Sequence, residues 1–313
     1  MFPGLLLFVG SLAAFREASL NSSSSDELPL PLQNIPIYSE KLNLALLSAL
    51  AAGRAMRESS SKSQTTSTSN LKIKSTSTTV DFATEVDLAN EKMIMSNIKS
   101  SFPADLIIGE EGSEAGDGYT FTTKPTWIID PIDGTTNFVS LNKMCCCSIA
   151  YSENKQIQVA CVHAPFLGET YLAIRGHGAY LNGQVIKKMF QKPLTDLNII
   201  AEFGYERSEK SVSAMTAAMG KLLQKGCRSM RQYGSGVLDL CWVATGKCDA
   251  SYTGVCGEGW KIWDYAAAGL ILTECGGCLE KLTDAGDFDY TGCSMVASAS
   301  PETNEILRRV VLG

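Results

Sequence analysis

The chain has 313 residues, of which 45% are hydrophobic and 19% are charged, and it contains 27 glycines and 10 prolines. This composition excludes a disordered, collagen-like or coiled-coil protein as the main description, and the length suits one large domain or two smaller ones. Because 33 acidic residues outnumber 27 basic ones, we expect no nucleic-acid partner bound through a broad basic face. An acidic protein can still bind phosphate if a metal ion supplies the positive charge.

The first 15 residues, MFPGLLLFVGSLAAF, are almost entirely apolar and end in small residues. They are too short to span a membrane, and they have the apolar core and small-residue junction of a signal peptide without its basic start. A Ser-rich stretch follows, as in transit peptides. We therefore interpret residues 1–35 as a leader, either for an organelle of the plastid type or for secretion. An ordinary N-terminus on a cytoplasmic protein is the remaining alternative.

The rest of the chain alternates helical and strand patterns. Apolar positions at helical spacing predict a helix over residues 39–58 with Ser39 as its cap, and the Ser/Thr-rich stretch 59–79 predicts a polar loop. Further helices are predicted over 86–100, 209–224, 235–245, 262–273 and from Pro301, and strands over 105–108, 126–129, 145–151, 157–163 and 169–174. This order predicts an α/β (α+β) fold, with an N-terminal α+β half over about 36–190 and a C-terminal α/β half over about 191–313.

The 11 cysteines lack the spacing of a disulfide framework, so most are predicted to be buried structural thiols. The pair Cys275 and Cys278 could form a redox couple or half of a zinc site, but no second such pair completes a metal set. The two histidines cannot build a His-rich zinc centre.

The segment 127–138, WIIDPIDGTTNF, is the strongest candidate for chemistry. An apolar strand leads to Asp130 and Asp133, whose spacing lets both carboxylates face one point together with the carbonyl of Ile132. Oxygen ligands of this kind suit Mg²⁺. The amides of Gly134, Thr135 and Thr136 begin a predicted helix, where they would bind a phosphate. The alternative is a capped helix with two solvated aspartates.

Other acidic residues lie at the ends of apolar segments. They are Asp81 and Asp87, the pair Glu110-Glu111, and Asp264 in GWKIWDYAAAGLIL. Burying several carboxylates together costs several kcal/mol each unless cations neutralise them. The alternatives are a turn or cap role for Asp81 and a helix N-terminal role for Asp264.

These segments together resemble a known family. GEE at 109–111, DPIDGTTNF at 130–138 and WDYAAAG at 263–269, with the stretch around Asp81 and Asp87, are similar in order and spacing to the motifs of the inositol monophosphatase family. Its members are lithium-sensitive, Mg²⁺-dependent phosphomonoesterases, and the resemblance runs from about residue 40 to the C-terminus. It implies a layered αβαβα sandwich, a homodimer, two or three Mg²⁺ ions and hydrolysis by metal-activated water.

The resemblance also implies a role for each matching residue. The first metal ion would be held by Glu110, Asp130 and the carbonyl of Ile132, and the second by Asp130, Asp133 and Asp264. A third, weaker ion would be bound by Glu110 through water. Catalysis would further use Asp87 and Thr135 to polarise the attacking water. The phosphate would bind the amides of Gly134 and Thr135, and the substrate hydroxyls would contact Asp133, Gly234, Ser235 and Gly236.

One departure concerns substrate recognition. The family usually has an acidic residue seven positions before the equivalent of Asp264, where this chain has Gly257, so the neighbouring Glu258 is the predicted substitute. The leading hypothesis is hydrolysis of inositol monophosphate. The alternatives are the same chemistry on L-galactose 1-phosphate, histidinol phosphate or a 3′-phosphonucleotide, and, in another class, a non-catalytic regulator that binds polyol phosphates.

Overall fold

Two long helices cover one face of a seven-stranded sheet. In this computed structural model, which describes residues 28–63, 71–73, 82–112, 119–187, 190–257, 259–283 and 288–313, these helices are α1 (Tyr38–Ser63) and α2 (Glu85–Ser101). The sheet consists of β3 (Leu106–Gly109), β4 (Thr126–Asp133), β5 (Cys146–Glu153), β6 (Gln156–Ala164), β7 (Glu169–Ile174), β8 (Ala179–Leu181) and β9 (Gln184–Val185). Its strands are neighbours in chain order. β3 and β4 are parallel, and the later pairs are antiparallel.

Strand β4 lies in the middle of this packing, and all of its residues are buried. Because successive side chains of a strand point to opposite faces, Trp127 and Ile129 pack on the side of α1 and α2. Ile128 points the other way, into a second core. A strand covered on both faces needs apolar residues at successive positions, which explains the continuous run Trp-Ile-Ile.

A second sheet follows in the C-terminal part of the chain. It contains β10 (Asn198–Ala201), β11 (Ser229–Arg231), β12 (Ala250–Thr253), β13 (Cys278–Glu280) and β14 (Met295–Ser298), in the order β11-β10-β12-β14-β13. β10 is parallel to β11 and β12, whereas β14 is antiparallel to β12 and β13.

Helices α6 (Gly236–Ala244) and α7 (Ile262–Glu274) lie between the two sheets, and α5 (Glu209–Gln224) and α8 (Pro301–Leu312) cover the outer face of the second sheet. Every residue of α6 is buried, as expected for a helix enclosed on all sides. The predicted αβαβα layering is thereby confirmed. Among the helices that the structure describes, none combines the length and apolar character needed to cross a bilayer.

Short elements lie between these helices and strands along the chain. They are the helical turns α3 (Glu110–Gly112) and α4 (Thr135–Val139) and the antiparallel strands β1 (Leu71–Ile73) and β2 (Phe82–Thr84).

Both boundaries of the first predicted helix were wrong. Helix α1 begins at Tyr38 and continues to Ser63, so it includes the first residues of the predicted polar loop. Ser39 lies inside the helix, where its hydroxyl donates to the carbonyl of Leu32 (2.6 Å) and accepts from the amide of Ile35 (2.7 Å). The hydroxyl therefore fixes the chain that enters α1 instead of capping the helix.

Candidate active site

Three aspartates converge where β4 ends and α7 begins. One carboxylate oxygen from each of Asp130, Asp133 and Asp264 lies within 4.8 Å of the others. β4 carries the first two past a bulge, because Asp130 pairs with Ser148 and Asp133 with Cys146. The intervening Pro131 has no N–H for a regular ladder. The irregular spacing brings both aspartates toward α7.

Glu110 reaches the same region from the neighbouring strand. It follows β3, which is parallel to β4, so the carboxyl ends of the two strands lie side by side. Glu91 of α2 holds the turn that carries Glu110, since its carboxylate accepts the amides of Glu111 and Gly112, both at 2.9 Å. A Cβ at Gly109 would lie 2.5 Å from that carboxylate, which explains the glycine before Glu110.

Asp264 occupies the third position of α7 and has two roles. Its Oδ2 accepts the amide of Lys261 (2.6 Å), as in a capped helix N-terminus, while its carboxylate also belongs to the aspartate cluster. The helix N-terminal interpretation and the ligand interpretation of Asp264 are therefore compatible.

The cluster has strongly perturbed electrostatics. Burial, followed by the charges of Glu110, Asp133 and Asp264, raises the pKa of Asp130 well above its usual range. Burial, opposed by the hydrogen bond from Ser235, raises the pKa of Asp133 to about 7. The Oδ1 atom of Asp130 is buried and has no hydrogen-bond partner within the described part of the chain. Carboxylate oxygens that converge on one point, with Asp130 and Asp133 buried, fit a hard divalent metal ion.

Asp133 is held by the loop before α6. Its Oδ2 accepts hydrogen bonds from the hydroxyl of Ser235 and from the amide of Val237 (3.1 Å). Gly134 lets this loop approach closely, because it has a left-handed backbone (φ 82°) and a Cβ there would lie 3.1 Å from the carbonyl oxygen of Gly234. The predicted substrate loop and the aspartate segment are thus directly connected.

Thr135 lines the cleft, whereas Asp87 is not among its lining residues. The hydroxyl of Thr135 donates to the carbonyl of Ile132 (3.0 Å). Asp87 is fully buried on the first turn of α2, where its Oδ2 accepts the hydroxyl and the amide (2.8 Å) of Thr84. Their predicted joint action on a water molecule stays a prediction, and Asp81 lies outside the described residues.

These groups line one cleft with a volume of about 380 Å³. Of the predicted site residues, its lining includes Glu110, Asp130, Ile132, Asp133, Gly134, Thr135, Gly234, Ser235, Gly236 and Asp264. Asp87 is not among the lining residues, and Glu258 lies outside the described residues. The lining also contains Tyr205, Arg207, Gln232 and Lys261, whose side chains carry hydrogen-bond donors.

None of the described lining residues is a cysteine or histidine. The structure records no disulfide among its described cysteines, and Cys275 is buried with its thiol donating to the carbonyl of Leu272 (3.0 Å). His163 is buried on β6, where its Nδ1 contacts the hydroxyl of Thr170 (2.9 Å). Burial and the charges of Arg57 and Arg54 lower its pKa to about 4. These residues act as packing groups.

Three positioning residues were missed in the sequence. Glu91 lies four residues after Asp87 and thus on the same helix face, a polar pair among apolar positions that could have indicated it. Asn137 lies within the DGTTNF segment, and its side-chain amide donates to the carbonyls of Met144 (2.8 Å) and Tyr233 (2.6 Å). Glu202 follows β10 and lines the cleft, but nothing in its local sequence marked it.

Comparisons with known proteins agree with this arrangement. The sequence profile of the inositol monophosphatase family matches residues 38–311. Inositol monophosphatase 1 of Homo sapiens is 38% identical over 222 residues, covering 71% of this chain and 78% of the human protein. The protein of the same name from Solanum lycopersicum is 40% identical over 226 residues, covering 72% of this chain and 81% of its own.

Solved structures show the same fold. An IMPase from Thermotoga maritima superposes with a TM-score of 0.72 at 27% identity, covering 87% of this chain and 96% of that one. An inositol monophosphatase from Anabaena gives a TM-score of 0.71 at 24% identity, with coverages of 89% and 97%. With the aspartate cluster, its cleft and the family match over nearly the whole described chain, this protein belongs to the inositol monophosphatase family.

Proposed function

We propose that the protein is a Mg²⁺-dependent phosphomonoesterase that hydrolyses inositol monophosphate to inositol and phosphate, using two or three ions. The observation that carries this proposal is the convergence of Asp130, Asp133 and Asp264 within 4.8 Å in an open cleft. The buried Oδ1 of Asp130, which has no hydrogen-bond partner among the described residues, supports it further, because such an atom is costly to bury unless a cation binds it.

Two sets of ligands follow from the arrangement. Glu110, Asp130 and the carbonyl of Ile132 would hold one ion, and Asp130, Asp133 and Asp264 the other. The carbonyl of Ile132 accepts the Thr135 hydroxyl with one lone pair and keeps the second for an ion. When bound, Mg²⁺ supplies Lewis-acid chemistry, promoting ionisation of water and stabilising charge on the phosphoryl oxygens.

The chain's own residues orient the reactants. Because the Thr135 hydroxyl uses its proton on Ile132, its oxygen can only accept, so it would accept a hydrogen bond from the attacking water. Asp87, fixed by Thr84, would support this orientation. Gly134 and Thr135 line the cleft, and their amides would bind phosphate oxygens.

Inositol monophosphate is the first choice of substrate because the relatives from Homo sapiens and Solanum lycopersicum are named for that activity and match over more than two thirds of this chain. The donors of Tyr205, Arg207, Gln232 and Lys261 suit a leaving group rich in hydroxyls. Glu258 remains the predicted acid for contacting those hydroxyls.

A substrate panel tests this choice. Purified protein would be assayed for phosphate release from inositol 1-phosphate, L-galactose 1-phosphate, histidinol phosphate and a 3′-phosphonucleotide at equal concentration. We expect the highest kcat/KM on inositol 1-phosphate and a drop for that substrate in Glu258→Ala. A higher kcat/KM on another ester would replace the substrate. Binding without turnover of any ester would favour the non-catalytic regulator.

Two further predictions accompany this function. The family resemblance predicts a homodimer, which sedimentation would test. Residues 1–35 are predicted to be a leader, and N-terminal sequencing of the mature protein would show whether cleavage falls near Ala14-Phe15; residues 1–27 lie outside the described residues.

A further inference from the structure

The loop between β11 and α6 controls one of the predicted metal ligands. Ser235 and Val237 both donate hydrogen bonds to Oδ2 of Asp133, the Val237 amide at 3.1 Å. These bonds leave the other oxygen of Asp133 for the cleft. The direction of the Asp133 carboxylate therefore depends on where this loop lies.

The backbone of this loop is held by hydrogen bonds to both its N–H and its C=O groups. On the N–H side, Oε1 of Glu202 accepts the amides of Tyr233 (2.7 Å) and Gly234 (2.9 Å). On the C=O side, the side-chain amide of Asn137 donates to the carbonyls of the same two residues, at 2.6 Å and 3.1 Å. The N–H and C=O groups of two successive residues are thus fixed by Glu202, next to β10, and by Asn137 of α4, immediately before Ser235.

Glu202 is suited to this task by its position and charge. It follows the last residue of β10 and is 8% exposed, so a rigid strand places it and little water competes for its oxygens. A carboxylate that accepts two backbone amides forms charge-assisted hydrogen bonds, which are about twice as strong as neutral ones.

The neighbouring acid Asp239 influences the ionisation of Glu202. Asp239 is fully buried beside Glu202, and its oxygens accept no hydrogen bond from the described residues. Burial and the charge of Glu202 raise the pKa of Asp239 well above its usual range. Burial also raises the pKa of Glu202, but the hydrogen bonds from the amides of Gly234 and Tyr233 oppose that rise, so the negative charge of the pair is favoured on Glu202.

We propose that Glu202 is a positioning residue, which holds the Tyr233–Gly234 backbone so that Ser235 and Val237 orient Asp133 for metal binding. This inference rests on the proposed function in one respect, the assignment of Asp133 as a metal ligand. It adds a carboxylate that acts on the metal site through a loop and not by contact with the ion.

Three variants of the full-length protein test the proposal. Glu202→Ala removes the acceptor, and Glu202→Gln keeps an oxygen that can accept both amides. Asp249→Ala is the matched control, because Asp249 also accepts a backbone amide, that of Asn198 (2.7 Å), but at the opposite end of β10. The readouts are backbone hydrogen exchange of residues 232–238 and Mn²⁺ binding followed by electron paramagnetic resonance.

We expect Glu202→Ala to speed exchange at Tyr233 and Gly234 and to weaken Mn²⁺ binding, each by about tenfold, the lower end of what outer-shell changes cause. Glu202→Gln should stay within about threefold of wild type, and Asp249→Ala should leave both readouts unchanged. Asp239→Asn, which mimics the protonated acid, should also bind Mn²⁺ like wild type.

Wild-type values for Glu202→Ala in both readouts, or equal losses in Asp249→Ala, would overturn the proposal. If Glu202→Ala does not fold, Glu202→Asp replaces it, because its shorter side chain cannot reach both amides; wild-type exchange and binding in that variant would be equally decisive. Neither readout measures hydrolysis. A loosened loop and weakened ion binding in a protein that cleaves no phosphate ester would reject the proposed function and keep this inference.

Discussion

Lys41 and Asp130 are each only 2% exposed, but they differ in the charges around them: Lys41 lies beside an opposite charge, whereas the described acids around Asp130 carry its own sign. The Lys41 ammonium lies 2.6 Å from Asp105 and over the rings of Phe102 and Tyr151, at 3.8 Å and 3.9 Å from their centroids. The carboxylate of Asp130 faces Glu110, Asp133 and Asp264, which carry the same sign of charge.

The difference separates a structural use of buried charge from a functional one. Around Lys41, a cation and an anion neutralise each other and the indole N–H of Trp127 bonds Asp105 (3.0 Å), so nothing further is needed. In the aspartate cluster, repulsion between the described carboxylates and burial act together, and bound protons or cations would relieve them. The Lys41–Asp105 pair holds α1 to the sheet, whereas the aspartate cluster could bind metal ions.

The largest effect on activity is expected from neutralising Asp130. Asp130→Asn should lower phosphate release from inositol 1-phosphate by at least about a thousandfold, since losing a shared metal ligand removes several kcal/mol of transition-state stabilisation. In EDTA the same variant should have a higher melting temperature than wild type, because a buried like-charge contact is gone. Asp196→Asn, at an exposed ion pair with Arg228, is the control and should change neither value. Activity retained by Asp130→Asn would refute the ligand assignment.

Neutralising Lys41 should have the opposite effect on stability. Lys41→Met leaves Asp105 buried without its cation and should lower the free energy of unfolding by about 3–5 kcal/mol, measured by urea denaturation. Arg228→Met at the exposed pair should cost about 1 kcal/mol or less. The double variant Lys41→Met/Asp105→Asn should recover part of the loss. A loss for Lys41→Met as small as that for Arg228→Met would show that the buried pair is not structural.

The pH dependence of stability should differ between the metal-free protein and the protein in saturating Mg²⁺. The pKa of Asp133 is about 7 in the fold against an ordinary value of 3.8, so the metal-free native state binds more protons than the unfolded state between those values. Its stability should therefore fall as pH rises from about 4 to 7. Saturating Mg²⁺ should flatten this slope. Urea midpoints in EDTA and in Mg²⁺ at several pH values would test it, and metal-free stability that rises over this interval would contradict it.

The smallest expected effect concerns the support of Glu110. Glu91→Ala frees the turn that carries Glu110 and should lower kcat/KM by about tenfold, in the range found for outer-shell partners of metal ligands. Lys92→Ala, the exposed neighbour on α2, is the control and should retain wild-type kcat/KM. Equal values for the two variants would mean that the turn keeps its geometry without Glu91.

The strand pattern and the aspartate spacing could be predicted because they depend on local rules. The apolar run before Asp130 marks a doubly covered strand, and the interval to Asp133 places both acids at its end. The end of β4 was predicted too early, at residue 129, because Pro131 and Gly134 are typical of turns. The strand instead resumes after the bulge and ends at Asp133.

Glu202 and Asn137 show what local rules cannot predict. Their shared target, the Tyr233–Gly234 backbone, lies 31 and 96 residues away along the chain, and only the layered packing brings the three segments together. A carboxylate that binds backbone amides carries no motif, because its partners have no side-chain identity. Such residues become visible only once the hydrogen bonds of a fold are known.

The most direct test of the account is a titration of Mg²⁺ against phosphate release from inositol 1-phosphate, starting from protein treated with EDTA. We predict no release above background without Mg²⁺, a rise to saturation as the ion is added, and inhibition by lithium at millimolar concentration. Release in EDTA at the same rate as in Mg²⁺ would contradict the claim that the buried aspartates act by holding metal ions.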